Sequence, residues 1–334
     1  MIFYTEKIFT NGLEIIMDSI KAQDIIRHIL KDEDKGCEYI KGMSLTDGVE
    51  VLTKILPELI SKAEEKKNVN DIGYFNSVGV IYRKLVVEKL FNAEHLWTIY
   101  CNSTGYPYML DGDIVVLYDY TSHSKVEEQL KKYGYDITLG IEDKESALYE
   151  IGHMYRNGYK NVRFIDGRDN MLVVPREEIA SFDKFFKEDY VTNPGLQSAL
   201  IAYFQEYRKT GKQSDKAMLL GTKESEVKIA LRNADYMVPC TKEESDDEVS
   251  IAHPYVDITD KVPHNDGEQI LALPVFTDGF EMEKCYTGKH ENMLYNYMEL
   301  LKSVKEIGAS GIVINPLGVS YYVPVDIMKQ IVTL

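Results

Sequence analysis

Hydrophobic residues recur at helical spacing in two parts of the chain. In the later part, apolar side chains stand at positions 196, 199, 200, 203, 204 and 207, which is the pattern of one helix face. Asn193 and Pro194 precede this pattern and suit the cap and the first position of a helix. The earlier pattern begins after Ser44 and contains Pro57, so a kink or a break is expected there. Second helices are predicted at about 76–91 and 223–233.

Short apolar runs follow each pair of helices and predict buried strands. The runs are Ile114–Leu117, Val162–Ile165, Ile270–Leu273 and Ile312–Ile314. A helix is expected between the two runs of each pair, around Leu148–Tyr155 in the first pair and Leu294–Val304 in the second. A strand, a long helix and another strand predict a right-handed parallel crossover.

The turn after each crossover has the same design. Asp166 and Asn315 stand at its first position, where an Asx side chain favours a turn. The chain is then expected to return as an antiparallel strand, and Pro175 and Pro324 fit the first position of a closing helix. The predicted return strands are Met171–Val174 and Tyr321–Val323.

The chain contains an internal repeat. The matching blocks are Leu90–Leu96 with Leu231–Met237, Asp111–Thr121 with Asp266–Thr277, and Val162–Pro175 with Gly311–Pro324. The blocks keep the same order, with insertions only between them, which indicates a tandem duplication. The repeated unit is predicted to be α-α-β-β-α-β-β-α, so the expected fold is α+β with a mixed β-sheet.

This repeat divides the chain into segments. They are an N-terminal helical extension at 1–43, a first repeat at 44–187 and a second repeat at 188–334. In the extension a helix at about 13–31 is favoured, although Asn11 and Gly12 could close a hairpin instead. The expected insertions are an extra helix at 125–132, a short strand at 134–138 and an acidic, solvated loop at 241–248.

Charge restricts the classes of partner. The 334 residues carry a formal net charge of -16. A negative field of this kind repels nucleic acid and anionic lipid, which bind through clustered Lys and Arg. One interpretation of this negative charge is ordinary solubility. The alternative is an acidic surface to which a basic partner protein binds. No apolar run approaches the roughly 20 residues of a membrane span, and Glu6, Lys7 and Glu14 interrupt the N-terminal apolar stretch, so a cytoplasmic protein is expected.

The sequence contains few residue patterns that are typical of a catalytic site. The four cysteines and seven histidines are dispersed and lack the spacing of a metal site. Gly308–Gly311 lies after a predicted helix and before a strand, which is the reverse of a phosphate-binding loop, and it is interpreted as a helix C-cap. We therefore expect no metal, no cofactor and no catalytic residue, and the chain is predicted not to be an enzyme.

Tyrosine is abundant, with 24 residues, many of them beside predicted turns. Tyr118, Tyr120 and Tyr321 are candidates for contact with a partner, because tyrosine buries a large area and retains a hydroxyl group. The alternative is that these rings pack at the edges of the core.

A local basic cluster on this acidic chain is a second candidate for binding. Arg156, Lys160 and Arg163 lie within eight positions and could clamp an acidic peptide. Because acidic residues lie close by in the sequence, self-contained ion pairing is the alternative.

Two motifs of the second repeat resemble a known family. Residues 273–278 read Leu-Pro-Val-Phe-Thr-Asp and residues 311–316 read Gly-Ile-Val-Ile-Asn-Pro. Together with the helix at Asn193–Leu196 and the block at 231–239, they resemble the N-terminal domain of the bacterial SseB family, over about 190–334. The first repeat departs from this pattern at 117–121 and at 166–167, and is identified as a diverged second copy through the internal repeat.

The resemblance implies a fold and a bacterial, cytoplasmic setting, without an established reaction or catalytic residues. Thr277 and Asn315 belong to the resembling motifs. They are interpreted as structural residues of a strand end and a turn, with a role in binding as the alternative. The function predicted is a non-catalytic, tandem-domain, protein-binding module of the adaptor or immunity type. The alternative is a small-ligand-binding protein or a hydrolase with its site in a groove between the repeats.

Overall fold

The structure, a computed structural model, describes residues 33–168, 170–210, 216–244, 249–264, 268–287 and 291–333. Over these residues the chain has an α+β fold with mixed sheets, and it divides into two compact units. Unit 1 comprises the described residues up to Tyr100, with Asp113–Ile151 and Lys160–Ala180. Unit 2 comprises Cys101–Gly112, Gly152–Tyr159 and the described residues from Ser181 onwards. The helix expected at 13–31 and the alternative hairpin lie outside the described residues.

The first part of unit 1 is helical. Its elements are α1 (Glu33–Gly42), α2 (Leu45–Glu50), a π-helical turn (Val51–Ile55), α3 (Leu56–Glu65), α4 (Val69–Phe91) and then β1 (Leu96–Cys101). Ser44 caps α2 by accepting a hydrogen bond from the backbone N–H of Asp47 over 3.1 Å. Pro57 lacks an N–H, and the chain opens into the π-helical turn just before it, with the Leu56 N–H donating to the Val51 carbonyl. The interruption expected at Pro57 is confirmed.

The elements that follow, up to residue 180, are β2 (Tyr106–Pro107), β3 (Met109–Leu110), β4 (Asp113–Leu117), α5 (His123–Lys132), β5 (Ile137–Glu142), α6 (Lys144–Asn157), β6 (Asn161–Ile165), β7 (Met171–Pro175) and α7 (Arg176–Ile179). In unit 1, β4 pairs antiparallel with β1 and parallel with β6, while β7 returns antiparallel beside β6 and β5 pairs with β1. All five residues of β4 are buried, as expected for a central strand covered on both faces. The first parallel crossover is confirmed.

Unit 2 continues with α8 (Pro194–Tyr207), α9 (Lys216–Arg232), β8 (Asp235–Glu244), β9 (Val249–Ala252), β10 (Val256–Asp257), β11 (Leu271–Val275), α10 (Gly279–Glu283), β12 (Glu291–Asn296), α11 (Tyr297–Glu306), β13 (Gly311–Ile314), β14 (Tyr321–Pro324) and α12 (Val325–Ile331). One sheet has the order β10–β11–β13–β14 and another has the order β12–β8–β9. Because β11 and β13 are parallel, with Leu273 opposite Ile312, the second crossover is also confirmed.

Two expectations for unit 2 are wrong. The predicted loop at 241–248 is a strand in its first half, because β8 runs to Glu244 and pairs with β9, where backbone hydrogen bonds satisfy a polar segment. Residues 245–248 lie outside the described residues. Leu294 lies in β12 and not in the following helix. Asn296 and Glu299 form a capping box, so α11 begins only after Asn296.

Other local expectations hold with shifts in position, and the short strand expected at 134–138 is β5, at Ile137–Glu142. The side chain of Asp166 accepts a hydrogen bond from the Arg168 N–H over 2.8 Å, which is the predicted Asx turn. Gly308 follows α11 in the left-handed region, with φ of 70°, and is the predicted C-cap glycine. Pro175 and Pro324 occupy the cap position of the closing helices, one residue earlier than predicted.

The two crossovers have the same sequence of elements and the same pairings. In the first, β4 is joined to β6 through β5 and α6, and β5 pairs with β1. In the second, β11 is joined to β13 through β12 and α11, and β12 pairs with β8. An antiparallel strand and a short helix then close each crossover. This likeness agrees with the tandem duplication, which stays a prediction.

A substitution at Gly311 tests how closely the strands of the second crossover pack. A Cβ atom there would overlap the carbonyl oxygen of Val323 on the neighbouring strand, whereas one at Gly221 on α9 would meet nothing within 4 Å. We expect Gly311→Ala to lower the free energy of unfolding by about 2–3 kcal/mol through overpacking. Gly221→Ala should raise it by about 0.5–1 kcal/mol because alanine favours the helix. Urea denaturation measures both values, and equal effects of the two variants would contradict this packing.

Candidate functional site

A buried ion cluster lies in unit 2 and consists of Arg156, Asp278 and Glu281. Nη1 of Arg156 lies 3.1 Å from Oδ2 of Asp278 and 2.8 Å from Oε1 of Glu281. The arginine side chain is 3% exposed, and both carboxylate side chains are 0% exposed. A buried charge is costly unless it is paired, so each member of the cluster depends on the others.

Two helix ends position the buried ion cluster. Arg156 lies in the last turn of α6, and Asp278 is the N-cap of α10. Oδ1 of Asp278 accepts a hydrogen bond from the backbone N–H of Glu281 over 3.0 Å. Lys284, just beyond α10, donates to Oε1 of Glu281 over 2.8 Å. The Asp-x-x-Glu spacing therefore brings both carboxylates to the arginine from one short helix.

Amide and hydroxyl groups extend the cluster. Thr277 Oγ1 donates to Oδ2 of Asp278 over 3.0 Å, and Asn315 Nδ2 donates to Thr277 Oγ1 over 3.0 Å. Asn315 Nδ2 also donates to Oε1 of Gln197 over 2.9 Å, while its Oδ1 accepts from the Thr277 N–H over 3.0 Å. Thr277 and Asn315, from the motifs at 273–278 and 311–316, thus join the segments that follow β11 and β13. This arrangement favours the structural interpretation of both residues.

Tyr106 contributes a further hydrogen bond to the cluster. Its hydroxyl group donates to Oε1 of Glu281 over 2.9 Å. Burial raises the pKa of Tyr106, and Glu281 raises it further, so the hydroxyl group stays protonated and acts as a donor. Gly318 lies against this pair, since a Cβ there would come within 2.8 Å of the Tyr106 hydroxyl oxygen and 2.5 Å of Oε2 of Glu281. The backbone of Gly318 therefore occupies the space beside the carboxylate.

The charges of the cluster neutralise one another. Burial raises the pKa of Asp278, an effect that Arg156 offsets only in part. Burial also acts to raise the pKa of Glu281, but Lys284 and Arg156 outweigh it, so this pKa lies below its usual value. Burial acts to lower the pKa of Arg156, but the two carboxylates outweigh it and the pKa is raised. Such a network holds fixed charges in place and is suited to structure more than to proton transfer.

His153 lies at the edge of the cluster as a neutral ring. Its Nδ1 lies 3.0 Å from Nη2 of Arg156, and because a guanidinium group can only donate, Nδ1 is the acceptor. The ring also meets Phe280 edge-on, with 4.7 Å between the ring centroids. Burial, together with the charges of Arg156 and Lys284, lowers the pKa of His153 to about 4.

Unit 1 carries four neighbouring aromatic side chains, His95, Trp97, Tyr120 and His123, which we call the aromatic row. The ring centroid of Trp97 lies 6.2 Å from that of His95 and 5.0 Å from that of Tyr120. Tyr120 stacks on His123 at 4.1 Å with an interplanar angle of 3°. Tyr120 is 47% exposed and the His95 side chain is 50% exposed, while Trp97 and His123 are half-buried, so the row presents part of its aromatic surface to solvent.

The sheet and a braced turn position the aromatic row. Trp97 lies in β1, which pairs with β4, and Tyr120 begins a 3-10 turn just after β4. Oδ1 of Asp119 accepts a hydrogen bond from the Thr121 N–H over 3.0 Å, and its Oδ2 lies 3.3 Å from Nη2 of Arg168. These contacts fix the turn that carries Tyr120, and the ring of Tyr120 is held by its stacking on His123.

Carboxylates stand at both ends of the row. At one end, Glu94 is 92% exposed, with Oε1 3.9 Å from Nε2 of His95. Hydrogen bonds from Ser146 hold the pKa of Asp143 below its usual value, and the nearby His95 adds to the effect. Over the described residues, neither Glu94 nor Asp143 forms an ion pair with a lysine or an arginine. Among the described side chains, this end of the row therefore carries negative charge without a Lys or Arg partner.

At the other end of the row, the carboxylates already have cationic partners. Glu127 Oε1 lies 2.6 Å from Nζ of Lys131, and Asp119 pairs with Arg168. Lys131 lowers the pKa of Glu127, with a small further contribution from His123. Of these four carboxylates, the two without a Lys or Arg partner among the described side chains thus lie near His95.

The other two tyrosine candidates belong to the core and its edge. Tyr118 is buried in unit 1, and burial raises its pKa. Tyr321, in β14 of unit 2, packs edge-on against Phe204 with 5.7 Å between centroids and lies 6.2 Å from Tyr203. Burial and the neighbouring Tyr203 raise the pKa of Tyr321 to about 12. The stated alternative is that the tyrosine rings pack at the edges of the core; Tyr321 fits it, and Tyr118 lies deeper, as a buried residue.

The three basic candidates differ in environment. Arg156 belongs to unit 2 and is buried in the ion cluster. Arg163 belongs to unit 1, where its Nη2 lies 2.7 Å from Oδ2 of Asp113. Lys160 is exposed in unit 1. Since both guanidinium groups are engaged in internal ion pairs, the structure favours self-contained pairing over a clamp for an acidic peptide.

Sequence reasoning missed the partners of Arg156 and the importance of Trp97. The Asp-x-x-Glu spacing of Asp278 and Glu281 is a readable capping signal, but their arginine partner stands 122 and 125 positions away. Trp97 is the single tryptophan of the chain, and its place opposite Leu117, at the end of β4 that precedes Tyr120, only emerges from the sheet register.

No protein-family model, curated protein or solved structure matches this chain. In the part of the chain that the structure describes, no helix is both long and apolar enough to cross a membrane. Over the same described ranges, His, Cys, Asp and Glu side chains form no group of three or more that could hold a metal ion. The functional conclusion therefore depends on the geometry of the buried ion cluster and the aromatic row.

His153 should make stability depend on pH. Between about pH 4 and 6.5 the unfolded histidine binds a proton that the folded ring does not, so unfolding becomes easier as the pH falls through this window. This effect is worth about 2–3 kcal/mol in the free energy of unfolding. In urea denaturation from pH 4 to 7.5, His153→Gln should flatten the dependence, whereas the matched variant of exposed His264, His264→Gln, should keep it. Identical slopes for all three proteins would contradict the assignment.

Proposed function

We propose that this chain is a non-catalytic, protein-binding module made of two SseB-like α+β units, of the adaptor or immunity type, in a bacterial cytoplasm. The proposal includes the tandem duplication, with the first repeat as the diverged copy. The shared order of elements in the two crossovers supports it, as does the hydrogen bond between Thr277 and Asn315, which joins the ends of the two motif-bearing strands β11 and β13.

The aromatic row is the observation that carries the proposal of protein binding. Trp and Tyr dominate the binding energy of protein interfaces, because each buries a large rigid surface and keeps a polar group. Tyr120 is 47% exposed, and its turn is already braced by Asp119 and Arg168. A partner that covers the row would gain hydrophobic energy at little cost in ordering this surface.

The buried ion cluster supports binding over catalysis by its chemistry. Its charged groups form hydrogen bonds with one another at the core of unit 2, with Arg156 held by Asp278 and Glu281. A hydrolase needs a polarised nucleophile that a substrate can reach, whereas Tyr106 has a raised pKa and donates its proton to Glu281. The cluster is therefore assigned to the stability of unit 2.

Overall charge indicates the kind of partner protein. A net charge of -16 favours association with a basic surface and opposes nucleic acid. The expected partner is thus a basic protein, and the complex should weaken as the salt concentration rises.

Recovery of the chain from its own host tests this function. The tagged wild-type protein, Trp97→Ala and Tyr120→Ala are expressed at native level, with Tyr255→Ala as a control, because Tyr255 is an exposed tyrosine of unit 2. Mass spectrometry should find one stoichiometric protein with the wild type and the control, reduced at least about tenfold with the two row variants. Circular dichroism verifies that the variants are folded. The proposal would be overturned if the wild type and the three variants all recovered the same proteins. It would also be overturned if the wild type recovered no partner at low salt.

A further inference from the structure

We propose that the aromatic row and the two carboxylates beside it, Glu94 and Asp143, bind an exposed arginine-containing segment of a partner protein. This inference rests on the proposed function and specifies the chemistry of the partner. It assigns recognition to the end of the row formed by His95 and Trp97, which belongs entirely to unit 1.

The negative charges of Glu94 and Asp143 determine that the partner segment carries positive charge. Glu94 is 92% exposed, and over the described residues its one ion-pair contact is with the ring of His95. Asp143 uses Oδ1 to accept hydrogen bonds from the N–H groups of Glu145 and Ser146. By contrast, Asp119 has its arginine. An incoming cation is therefore attracted to the His95 end of the row.

Aromatic surface beside carboxylates selects arginine among the cations. The planar guanidinium group stacks on aromatic rings and can form two parallel hydrogen bonds to one carboxylate, which a lysine ammonium group cannot do. Trp is the most favourable ring for contact with a cation. Trp97 lies beside His95, whose Nε2 is 3.9 Å from Oε1 of Glu94. One arginine side chain can therefore contact both the ring of Trp97 and the carboxylate of Glu94.

A row of stacked rings is also typical of proteins that bind single-stranded nucleic acid, because bases stack on aromatic side chains. Those surfaces combine the rings with Lys and Arg that follow the phosphates. Here the carboxylates of Glu94 and Asp143 lie near His95, and they repel phosphate. The same surface therefore favours an arginine side chain over a nucleotide.

Trp97 provides a direct probe, because it is the single tryptophan of the chain. Its fluorescence is titrated with an acetylated and amidated Gly/Ser peptide that carries two arginines. The same peptide with lysine, the same peptide with neutral citrulline, and a single-stranded oligouridylate serve as the other probes. We expect a saturable change with the arginine peptide that weakens with salt, a weaker response to lysine, and none to citrulline or oligouridylate.

Charge-matched variants separate local recognition from net charge. Glu94→Gln combined with Asp143→Asn should weaken the arginine peptide at least about tenfold, while Glu64→Gln combined with Glu65→Gln, which removes two exposed carboxylates of α3, should change affinity less than about twofold. Asparagine can still accept the hydrogen bonds at position 143, so the start of α6 is preserved.

Three results would overturn the inference. They are equal binding of the citrulline peptide, saturable binding of oligouridylate alone, and no saturable change with the arginine peptide. If the host partner is nevertheless lost on Trp97→Ala, the proposed function stands and only the arginine chemistry fails. If the arginine peptide binds but no host protein depends on Trp97, the site stands and the proposed function fails.

Discussion

The burial of Arg156 between Asp278 and Glu281 is the interaction on which unit 2 depends. Removal of one partner from a buried ion pair costs about 3–5 kcal/mol, because a charge is then left in the interior without compensation. The contact joins positions 122 residues apart, so the segment Gly152–Tyr159 is held in unit 2 by paired charges as well as by packing. Tyr106 holds the segment Cys101–Gly112 in the same way through its hydrogen bond to Glu281.

The buried ion cluster and the aromatic row have opposite physical characters, and this contrast decides their roles. In the cluster, hydrogen-bonding groups face one another, and charges are neutralised within the protein. In the row, the rings and two carboxylates remain in contact with water. Binding energy comes from groups that are still exposed, because only these can lose contact with water when a partner arrives. Under the proposed function, the row is the surface that gains free energy on binding, whereas the cluster stabilises the unit to which it belongs.

Local order could be predicted from the sequence where it depends on neighbouring residues. The interruption at Pro57 follows from a missing N–H, and the crossovers follow from apolar runs separated by helices. The start of α11 was placed too early because the apolar period continues into β12, and the capping box at Asn296 decides the boundary. The site was harder to predict: Arg156 and Tyr120 could be singled out by type, but their surroundings depend on contacts between distant segments. Asp278 and Glu281 reach Arg156 only after the chain has folded.

Hydrogen exchange measured by mass spectrometry tests the role of the buried ion cluster most directly. The wild type is compared with Arg156→Met and with Arg163→Met, which removes the ion pair to Asp113 in unit 1. The account predicts that Arg156→Met lowers protection in 101–112, 152–159 and 277–284 together, and that Arg163→Met leaves these three segments unchanged. Unchanged protection of 101–112 and 152–159 in Arg156→Met would contradict the claim that the cluster holds these segments in unit 2.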